Sequence, residues 1–400
     1  MKKIVSVLGA TGSVGKSTCS LIYKHLDLFE VFLLTADKNY LYLFECIQKI
    51  KPKYVFMMDK FANLELKKLV NTLPNDFSVV VLDEKDLVIE MLKIHTHNVV
   101  ISITGIAALE YLIAGIEAGS CMMVANKESL ICGGDFVLSL VEKFKAKIIP
   151  VDSEHNSIYQ IIHNNTNTNI EKDIEKITIT CSGGPFLNYE LNELKIVTKE
   201  MAIKHPKWSM GNKISVDSAT IVNKALELIE ASVLFGLNEK FIEVVVHPQS
   251  IIHGGVMFKD GSFFAVMFES DMSIPISYAL FYPERKMSDN RFFSLLNVKE
   301  MNFYKLNEVQ NKPIQMVRNI LNDKYKNILT CVFNACNEIA VDLFLNDRLK
   351  FLQIYDVLDY GLECFSSKYL DKYYKIECFE NIMEIDEVAR NIVTKYCEGL

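Results

Sequence analysis

The stretch that decides the fold is IVSVLGATGSVGKS, at residues 4–17. It opens with a short β-branched run that predicts a buried strand ending at Leu8. Three glycines follow at intervals of three residues, Gly9, Gly12 and Gly15, and a helix is predicted directly after them. Glycines in this position let the backbone approach a pyrophosphate, which then lies at the N-terminus of the helix. The stretch therefore indicates a dinucleotide site at the start of an α/β domain.

The same residues permit a second interpretation, a P-loop for nucleoside triphosphates. In that motif Ala10 would replace the first glycine, and Gly15, Lys16 and Ser17 would complete the loop. Because the strand ends at Leu8, the turn opens at once, as the dinucleotide interpretation requires. No acidic residue of the Walker-B type clearly ends a later apolar strand. The dinucleotide interpretation is therefore favoured, and a P-loop nucleotide hydrolase or kinase is kept as the alternative.

Outward from this stretch, short apolar segments alternate with amphipathic ones as far as residue 150. Alternation of this kind predicts a parallel sheet with helices on both faces. The further predicted strands are Val31–Leu34, Tyr54–Met58, Val79–Leu82, Val99–Ile101, Met122–Val124 and Ile148–Ile149.

The pattern changes in the middle of the chain and again near its C-terminus. Strands are predicted at Ile177–Cys181, Ile242–His247, Ile251–Phe258 and Ser262–Phe268. After Asn311 the chain is almost wholly helical in pattern, which predicts a small bundle. The predicted fold class is α/β, with an N-terminal Rossmann-like dinucleotide-binding domain, a central α+β domain and a C-terminal helical bundle.

Composition narrows the class of protein. The 400 residues carry a net charge of −7, and the pI near 5.7 argues against nucleic-acid binding, which favours a basic surface stripe. The ten cysteines include no C-x-x-C pair, which predicts reduced thiols in a cytoplasmic protein. The N-terminal apolar run stops at Gly9, too soon for a signal peptide. Without a run of about 18 apolar residues, we expect no membrane span.

Arginine is absent from the first 284 residues. A phosphate bound there must therefore be met by lysine, serine, asparagine, histidine or backbone N–H groups instead of a guanidinium fork. The end of the second strand should select between NAD and NADP, because a carboxylate binds the ribose 2′-OH and a cation accommodates the 2′-phosphate. Asp37 and Lys38 are both present at this point, so the residues alone leave the cofactor open.

A pair of carboxylates, Asp152 and Glu154, follows the strand that ends at Pro150. If this segment is extended, residues two apart face the same side, and the two carboxylates would lie together. Paired carboxylates repel unless a cation lies between them, so a hard ion such as Mg²⁺ or Mn²⁺ would suit them. Two exposed acids at a strand end are the alternative.

Three further segments carry polar groups suited to a phosphorylated ligand. Residues 217–220 are interpreted as a helix start with Ser218 near its N-cap, after which Asn223, Lys224 and Glu227 share one helical face. The segment CSGGPF at residues 181–186 is either a phosphate-binding nest or a simple turn. The segment HPKWSMG at residues 205–211 is either a lid over a ligand or a surface loop that packs its tryptophan. A solvated helix face remains the alternative for the first segment.

Taken in order, these motifs resemble the 1-deoxy-D-xylulose 5-phosphate reductoisomerase family. The segments that carry the resemblance are GATGSVGKST at 9–18, ANKES at 125–129, PVDSEHNSIYQ at 150–160, SGGPF at 182–186, HPKWSMGNKISVDSAT at 205–220, VNKALELIEA at 222–231, HPQSIIH at 247–253 and NACNEIA at 334–340. Because they are spread over most of the chain, the resemblance is highly specific.

The resemblance implies an enzyme that uses NADPH and Mn²⁺ or Mg²⁺. It would convert a small phosphorylated sugar, 1-deoxy-D-xylulose 5-phosphate, to 2-C-methyl-D-erythritol 4-phosphate, by rearrangement to an aldehyde and reduction. It implies an NADPH-binding domain at 1–150, a catalytic domain at 151–285 with a lid loop at 201–213, a linker at 286–311 and a helical domain at 312–400. A cytoplasmic homodimer that binds neither nucleic acid nor membrane is expected.

The resemblance also assigns roles to individual residues. The implied catalytic residues are Lys127, Glu154 and His205. The implied cofactor-binding residues are Thr11, Gly12, Ser13, Val14, Lys38, Asn39, Asn126, Glu128 and Gly211. The implied substrate-binding residues are Lys127, Ser153, Glu154, Ser182, His205, Trp208, Ser218, Asn223, Lys224 and Glu227. The implied metal ligands are Asp152, Glu154 and Glu227.

Overall fold

The computed structural model describes residues 2–74, 77–94, 97–164, 168–208, 210–286 and 293–399. The chain divides into two compact units. The first consists of Met1–Ser129, Val137–Asn156 and Asp271–Arg291, and the second of Leu130–Phe136, Ser157–Ser270 and Phe292–Leu400. The domain boundaries at residues 150, 285 and 311 stay a prediction, and residues 287–292 of the expected linker lie outside the described residues.

The helices and strands of the described residues are numbered in chain order. The strands are β1 Lys3–Leu8, β2 Phe29–Ala36, β3 Tyr54–Met57, β4 Val80–Val81, β5 Asn98–Ile101, β6 Cys121–Val124, β7 Lys147–Pro150, β8 Ile174–Cys181, β9 Ile242–Val246, β10 Ile252–Phe258 and β11 Phe263–Met267. The α-helices are α1 Ser13–Lys24, α2 Tyr40–Ile50, α3 Lys60–Val70, α4 Lys85–Ile94, α5 Leu109–Glu117, α6 Lys127–Phe144, α7 Ser153–Asn164, α8 Ile170–Asp173, α9 Leu191–Leu194, α10 Lys199–Ala202, α11 Asn212–Ala219, α12 Val222–Phe235, α13 Ser273–Phe281, α14 Glu308–Leu321, α15 Lys326–Leu345, α16 Gln353–Tyr369 and α17 Phe379–Cys397.

The first unit is built on a parallel sheet whose described strands lie in the order β4-β3-β2-β1-β5-β6-β7. Val5, Val7 and Leu8 of the central strand β1 are fully buried, as expected for a strand covered on both faces. The chain moves outward on one side from β1 to β4 and returns to the other side at β5. The switch between β1 and β5 opens a crevice at the carboxyl ends of the strands, where ligands bind in sheets of this type.

The second unit contains a mixed sheet in the order β11-β10-β8-β9. The hairpin between β10 and β11 turns at Gly261, which has a φ of 88°. At the other edge, Val246 of β9 forms a single antiparallel bridge with Tyr304. Within the described ranges no strand pairs with the outer side of β11, which is an open edge, and its Phe263 and Phe264 are about half exposed, at 46% and 54%.

Helices dominate the rest of the second unit, and α15 forms its centre by packing against α16 and α17. By length and composition α15 could cross a membrane, since one 18-residue window has a mean hydropathy of 1.6. However, 78% of that window is buried inside the structure, as in the core helix of a globular unit. Such a helix is weak evidence for a membrane span.

The predicted fold class is confirmed, and the predicted strands agree with the observed ones to within a few residues. Side-chain caps explain several helix starts. Asn39 accepts a hydrogen bond from the Tyr42 N–H at 3.1 Å, and Asp59 accepts one from the Ala62 N–H at 2.8 Å.

Candidate active site

The glycine-rich loop after β1 is tightly packed. A Cβ added to Gly15 would lie 2.1 Å from the carbonyl oxygen of Gly9, and one added to Gly9 would lie 2.7 Å from that of Ser102. Gly9 also has a φ of 89°, which side chains rarely adopt. Both glycines are therefore required by the turn, which brings the chain directly from β1 into α1.

The loop presents the start of α1 to the crevice. Gly12 is the N-cap of α1 and has no side chain with which to cap the helix. The first N–H groups of any helix have no partners within the helix itself. The sequence-predicted contacts Thr11, Ser13 and Val14 lie here and are partly or fully exposed. The exposed Lys16 amine lies 4.7 Å from the centre of the Tyr42 ring. In a P-loop this lysine would face the phosphates.

The carboxyl end of β2 presents the residues that should distinguish NADP from NAD. Asp37, Lys38 and Asn39 follow the strand directly and are all exposed. The Asn39 side chain is the N-cap of α2, which fixes the turn. Lys38 and Asp37 are thus presented at the same sheet edge as the glycine loop.

Asn126 lies between β6 and α6, Lys127 and Glu128 begin α6, and all three are almost fully buried. The Asn126 side chain caps α6 by accepting the Ser129 N–H at 2.8 Å, and its amide group donates to Glu128 at 2.9 Å. The Lys127 amine lies 2.6 Å from a carboxylate oxygen of Asp152. These predicted residues are therefore brought together at the carboxyl end of β6.

Asp152 and Glu154 follow β7, and the expected extended segment is wrong. Helix α7 begins at Ser153, so Glu154 lies in its first turn. Ligand oxygens of the two carboxylates still lie within 4.8 Å of each other. The Ser153 hydroxyl donates to Glu154 at 2.5 Å. A helix start brings the carboxylates together by curvature of the backbone, not by strand alternation.

The Asp152 carboxylate is ionised at neutral pH. Burial alone would raise its pKa, but the Lys127 ammonium, the His155 ring and a hydrogen bond with Glu154 together hold that pKa well below its ordinary range. The first unit therefore presents a charged carboxylate with a second carboxylate beside it.

In the second unit, the loop after β8 carries Ser182. Its hydroxyl accepts the Gly184 N–H at 3.1 Å and lies 3.1 Å from Nε2 of His205. A Cβ on Gly184 would lie 2.7 Å from the carbonyl oxygen of Ser218, so this glycine allows the loop to pack against the end of α11. Ser182, His205 and Ser218 are thus close neighbours, as their common assignment requires.

His205 organises the predicted lid. Its Nδ1 accepts the N–H groups of Lys207 and Trp208 at 3.1 and 2.9 Å, so this nitrogen carries no proton and Nε2 carries it in the neutral ring. Trp208 packs edge-to-face on His253, with 6.0 Å between ring centres. Gly211 is the N-cap of α11, and Ser209 of the predicted lid lies outside the described residues.

His205 is expected to remain neutral through the physiological range. Burial, with the nearby Lys224 ammonium, lowers its pKa from 6.5 to about 4. The unfolded chain therefore takes up this proton first as pH falls, and His205 reduces the stability of the folded protein progressively between about pH 6.5 and 4 but not above.

Nitrogen NMR of the ligand-free protein should show the Nε2-protonated ring down to about pH 5. Titration near 6.5 would contradict the buried acceptor. His205→Asn, which can keep an acceptor for the two N–H groups, is the matched variant.

The interpretation of residues 217–220 as a helix start is wrong. They lie at the end of α11, and Ser218 is in its last turn. The next helix, α12, begins at Val222 after Ile221, which adopts a left-handed conformation with a φ of 61°. The favourable end for an anion is thus the start of α12, next to Asn223.

The predicted helical face on α12 is confirmed. The Asn223 amide donates to Glu227 at 2.5 Å, and the Lys224 amine pairs with the same carboxylate. Lys224 and Glu227 are 3% and 1% exposed. A buried ion pair is expensive to maintain unless its geometry or function repays the cost. A solvated helix face is therefore excluded for these residues.

Sequence reasoning assigns no role to two residues that the structure places within this site. His253 stacks on Phe268 and meets Trp208, although the sequence singles out only its segment HPQSIIH. Asp217 is a buried carboxylate held by Lys213 at 2.9 Å and by Asn337 at 2.8 Å. Nothing local in the sequence connects Asp217 with a residue 120 positions away.

Comparison with known protein families gives three matches along the chain. Residues 5–134 match the model described as 1-deoxy-D-xylulose 5-phosphate reductoisomerase. Residues 148–235 match the C-terminal domain of the same enzyme, and residues 267–392 match the model described as DXP reductoisomerase C-terminal domain.

Individual relatives are similar to this chain over almost their full length. The chain is 41% identical to 1-deoxy-D-xylulose 5-phosphate reductoisomerase from Wolbachia pipientis wMel, over 100% of this chain and 98% of that protein. It is 37% identical to the protein of that name from Clostridium botulinum, over 98% of this chain and 99% of the other.

Solved structures give the same result. The reductoisomerase from Zymomonas mobilis in complex with NADPH matches with a TM-score of 0.89 and 33% identity, covering 100% of both chains. A DOX-P reductoisomerase in complex with NADPH, fosmidomycin and magnesium matches with a TM-score of 0.91 and 32% identity, covering 99% of this chain and 98% of the other. By sequence and by structure, this chain belongs to the 1-deoxy-D-xylulose 5-phosphate reductoisomerase family.

Proposed function

We propose that this protein converts 1-deoxy-D-xylulose 5-phosphate to 2-C-methyl-D-erythritol 4-phosphate, using NADPH and Mg²⁺ or Mn²⁺. The observation that carries the proposal is a single sheet edge. The glycine loop, Lys38, Asn126 and the Asp152–Glu154 pair all follow the carboxyl ends of strands in the parallel sheet of the first unit. That edge is where an open α/β sheet binds a dinucleotide and its substrate.

The residues present fit the cofactor. Gly9 and Gly15 allow the tight turn from β1 into α1, and the N-terminus of a helix that follows such a turn is where a pyrophosphate binds. The exposed Lys38 can bind a 2′-phosphate, and the sequence has no arginine before Arg285 that could compete with Lys38 for this phosphate. We therefore assign Thr11, Gly12, Ser13, Val14, Lys38, Asn39, Asn126, Glu128 and Gly211 to NADPH.

The residues also fit a hard divalent cation, for which carboxylate oxygens are the preferred ligands. Asp152 is ionised and lies beside Glu154, and we assign Glu227 of the second unit as the third ligand. When bound, NADPH would supply the hydride for the reduction, and the cation would polarise the substrate carbonyl. The chain would contribute orientation and charge, with the Lys127 ammonium next to the metal carboxylates and a neutral His205 next to Ser182.

For the sugar phosphate we assign Ser182, Ser218, Asn223 and Lys224 to the phosphate group. These residues offer hydroxyl, amide and ammonium donors, which an arginine-free pocket must use. Ser153, Glu154, Lys127 and Glu227 would contact the remainder of the substrate, and His205 and Trp208 would cover it. We propose that fosmidomycin, which joins a phosphonate to a metal-chelating hydroxamate, occupies the same positions.

The decisive experiment follows NADPH absorbance with purified protein, 1-deoxy-D-xylulose 5-phosphate and Mn²⁺. Absorbance should fall in the complete mixture and stay constant with EDTA, because the substrate oxygens need the cation. NADH should be a much poorer reductant, since Lys38 has no 2′-phosphate to meet. Equal rates with NADH would show that Asp37 outweighs Lys38. ATP hydrolysis without NADPH oxidation would instead favour the P-loop alternative.

We also propose that the protein is a homodimer. The open edge strand β11 exposes Phe263 and Phe264, and aromatic side chains on an unpaired edge favour burial against another chain. A second copy would cover this edge, and the molar mass in solution checks it against the 45.7 kDa of one chain. A cytoplasmic location and the lack of nucleic-acid or membrane binding stay predictions.

A further inference from the structure

The corner between α11 and α12 is strained. Ile221 has φ and ψ of 61° and 3°, in the left-handed region. This region is unfavourable for a residue branched at Cβ, and such a residue persists there only when its surroundings enforce it. Ile221 is 3% exposed, so it is fixed within the packed interior of the second unit. Something in that unit must hold the corner.

Two side chains from the C-terminal helices hold it. The amide group of Asn337, on α15, donates to Oδ1 of Asp217 at 2.8 Å. The hydroxyl of Tyr355, on α16, donates to the carbonyl oxygen of Thr220 at 3.0 Å. The Asp217 carboxylate and the Asn337 amide are both fully buried. A buried polar group that loses its partner is costly, so these bonds fix the chain just before Ile221.

The corner separates two sets of phosphate-binding residues. Ser218 lies before it, at the end of α11, and Asn223 and Lys224 lie after it, in the first turn of α12. The direction of α12 relative to Ser218 therefore depends on the conformation of Ile221. A donor set must be held to a fraction of an ångström to bind its ligand tightly.

We propose that Asn337 and Tyr355 are positioning residues for the sugar phosphate. They touch neither substrate nor cofactor; they hold the strained corner so that Ser218, Asn223 and Lys224 meet one phosphate group. This inference rests on the proposed function, because it takes those three residues as the phosphate contacts. It gives the C-terminal helices a part in substrate affinity in addition to their part in stability.

The test uses Asn337→Ala and Tyr355→Phe. Both should raise the KM for 1-deoxy-D-xylulose 5-phosphate about tenfold, while kcat and the Kd for NADPH change less than about twofold. Tyr355→Phe removes a single oxygen, so it remains informative even if Asn337→Ala fails to fold. Unchanged KM in folded Tyr355→Phe would overturn the proposal.

Asn334→Ala is the matched control. Asn334 is also fully buried on α15, one turn before Asn337, but its amide group donates to Glu338 at 3.1 Å and not to the corner. It should lower the melting temperature comparably and leave the KM unchanged. An equal rise in KM would mean that any loosening of the bundle has the same effect, and positioning by Asn337 would be wrong.

Failure of the proposed function can be distinguished from failure of this inference. If the wild type does not oxidise NADPH with the sugar phosphate, the proposed function is lost. Calorimetric titration with inorganic phosphate then decides the inference alone. A tenfold weaker Kd in Tyr355→Phe, but not in Asn334→Ala, supports it, and equal Kd values in all three proteins overturn it.

Discussion

Replacing Glu154 by glutamine should lower kcat with 1-deoxy-D-xylulose 5-phosphate by about 10³-fold, which corresponds to roughly 4 kcal/mol of transition-state stabilisation. The substitution keeps the size of the side chain but replaces one carboxylate oxygen with an amide nitrogen, which removes one of the charges that attract the cation. Of the two carboxylates that remain, Asp152 is already paired with Lys127 and Glu227 with Lys224, which further reduces their attraction for a metal.

NADPH binding should survive this change. Three strand spacings, about 14 Å, separate β1, which carries the glycine loop, from β7, which precedes Glu154. Fluorescence titration with NADPH should therefore give nearly the wild-type Kd, whereas paramagnetic titration should show much weaker Mn²⁺ binding. Glu175→Gln, at an exposed carboxylate on β8, is the control and should behave as wild type. Full activity of Glu154→Gln at saturating Mg²⁺ would remove Glu154 from the metal site.

Replacing Lys224 by alanine should weaken inhibition by fosmidomycin about 10- to 100-fold. Lys224 is buried on α12 beside Asn223 and would provide the fixed positive charge for the phosphonate. A hydrogen bond to a charged group is worth roughly 1.5–3 kcal/mol, which gives a factor of this size. Inhibition constants measured with and without Mn²⁺ separate the phosphonate end of the inhibitor from its chelating end.

The Lys224→Ala variant also leaves the buried Glu227 without its cation. Mn²⁺ binding must therefore be measured alongside inhibition, because a shifted carboxylate would weaken both ends of the inhibitor. Lys240→Ala, at an exposed lysine, controls for loss of net charge. Inhibition that is indifferent to Lys224 would contradict the assigned placement of the phosphonate, and inhibition that survives removal of the metal would contradict that of the hydroxamate.

The first unit is largely predictable because its signals are local. The glycines between β1 and α1 are dictated by close backbone contacts, and each strand is a short apolar run. The helix face of Asn223, Lys224 and Glu227 on α12 follows from spacing alone, since residues three and four apart are neighbours on any helix.

The errors have physical causes. The segment after Pro150 is predicted as extended because its mixture of acidic and polar residues hides the start of α7. The predicted boundary between α11 and α12 is displaced because Ile221 adopts a conformation that its side chain disfavours, so no propensity rule places a break there. The bonds from Asn337 and Tyr355 that enforce it come from residues more than a hundred positions away, and tertiary contacts of this kind leave no periodic trace in the sequence.

The two sheets differ in how their margins are protected, and this affects handling of the protein. The outer strand β4 of the first sheet has only two residues, which gives a neighbouring chain little to pair with. The strand β11 offers five residues with two half-exposed phenylalanines. During refolding from denaturant, β11 would therefore pair with strands of other chains if these chains meet before the dimer has formed. Dilute, slow refolding should accordingly return more usable protein than concentrated, rapid refolding.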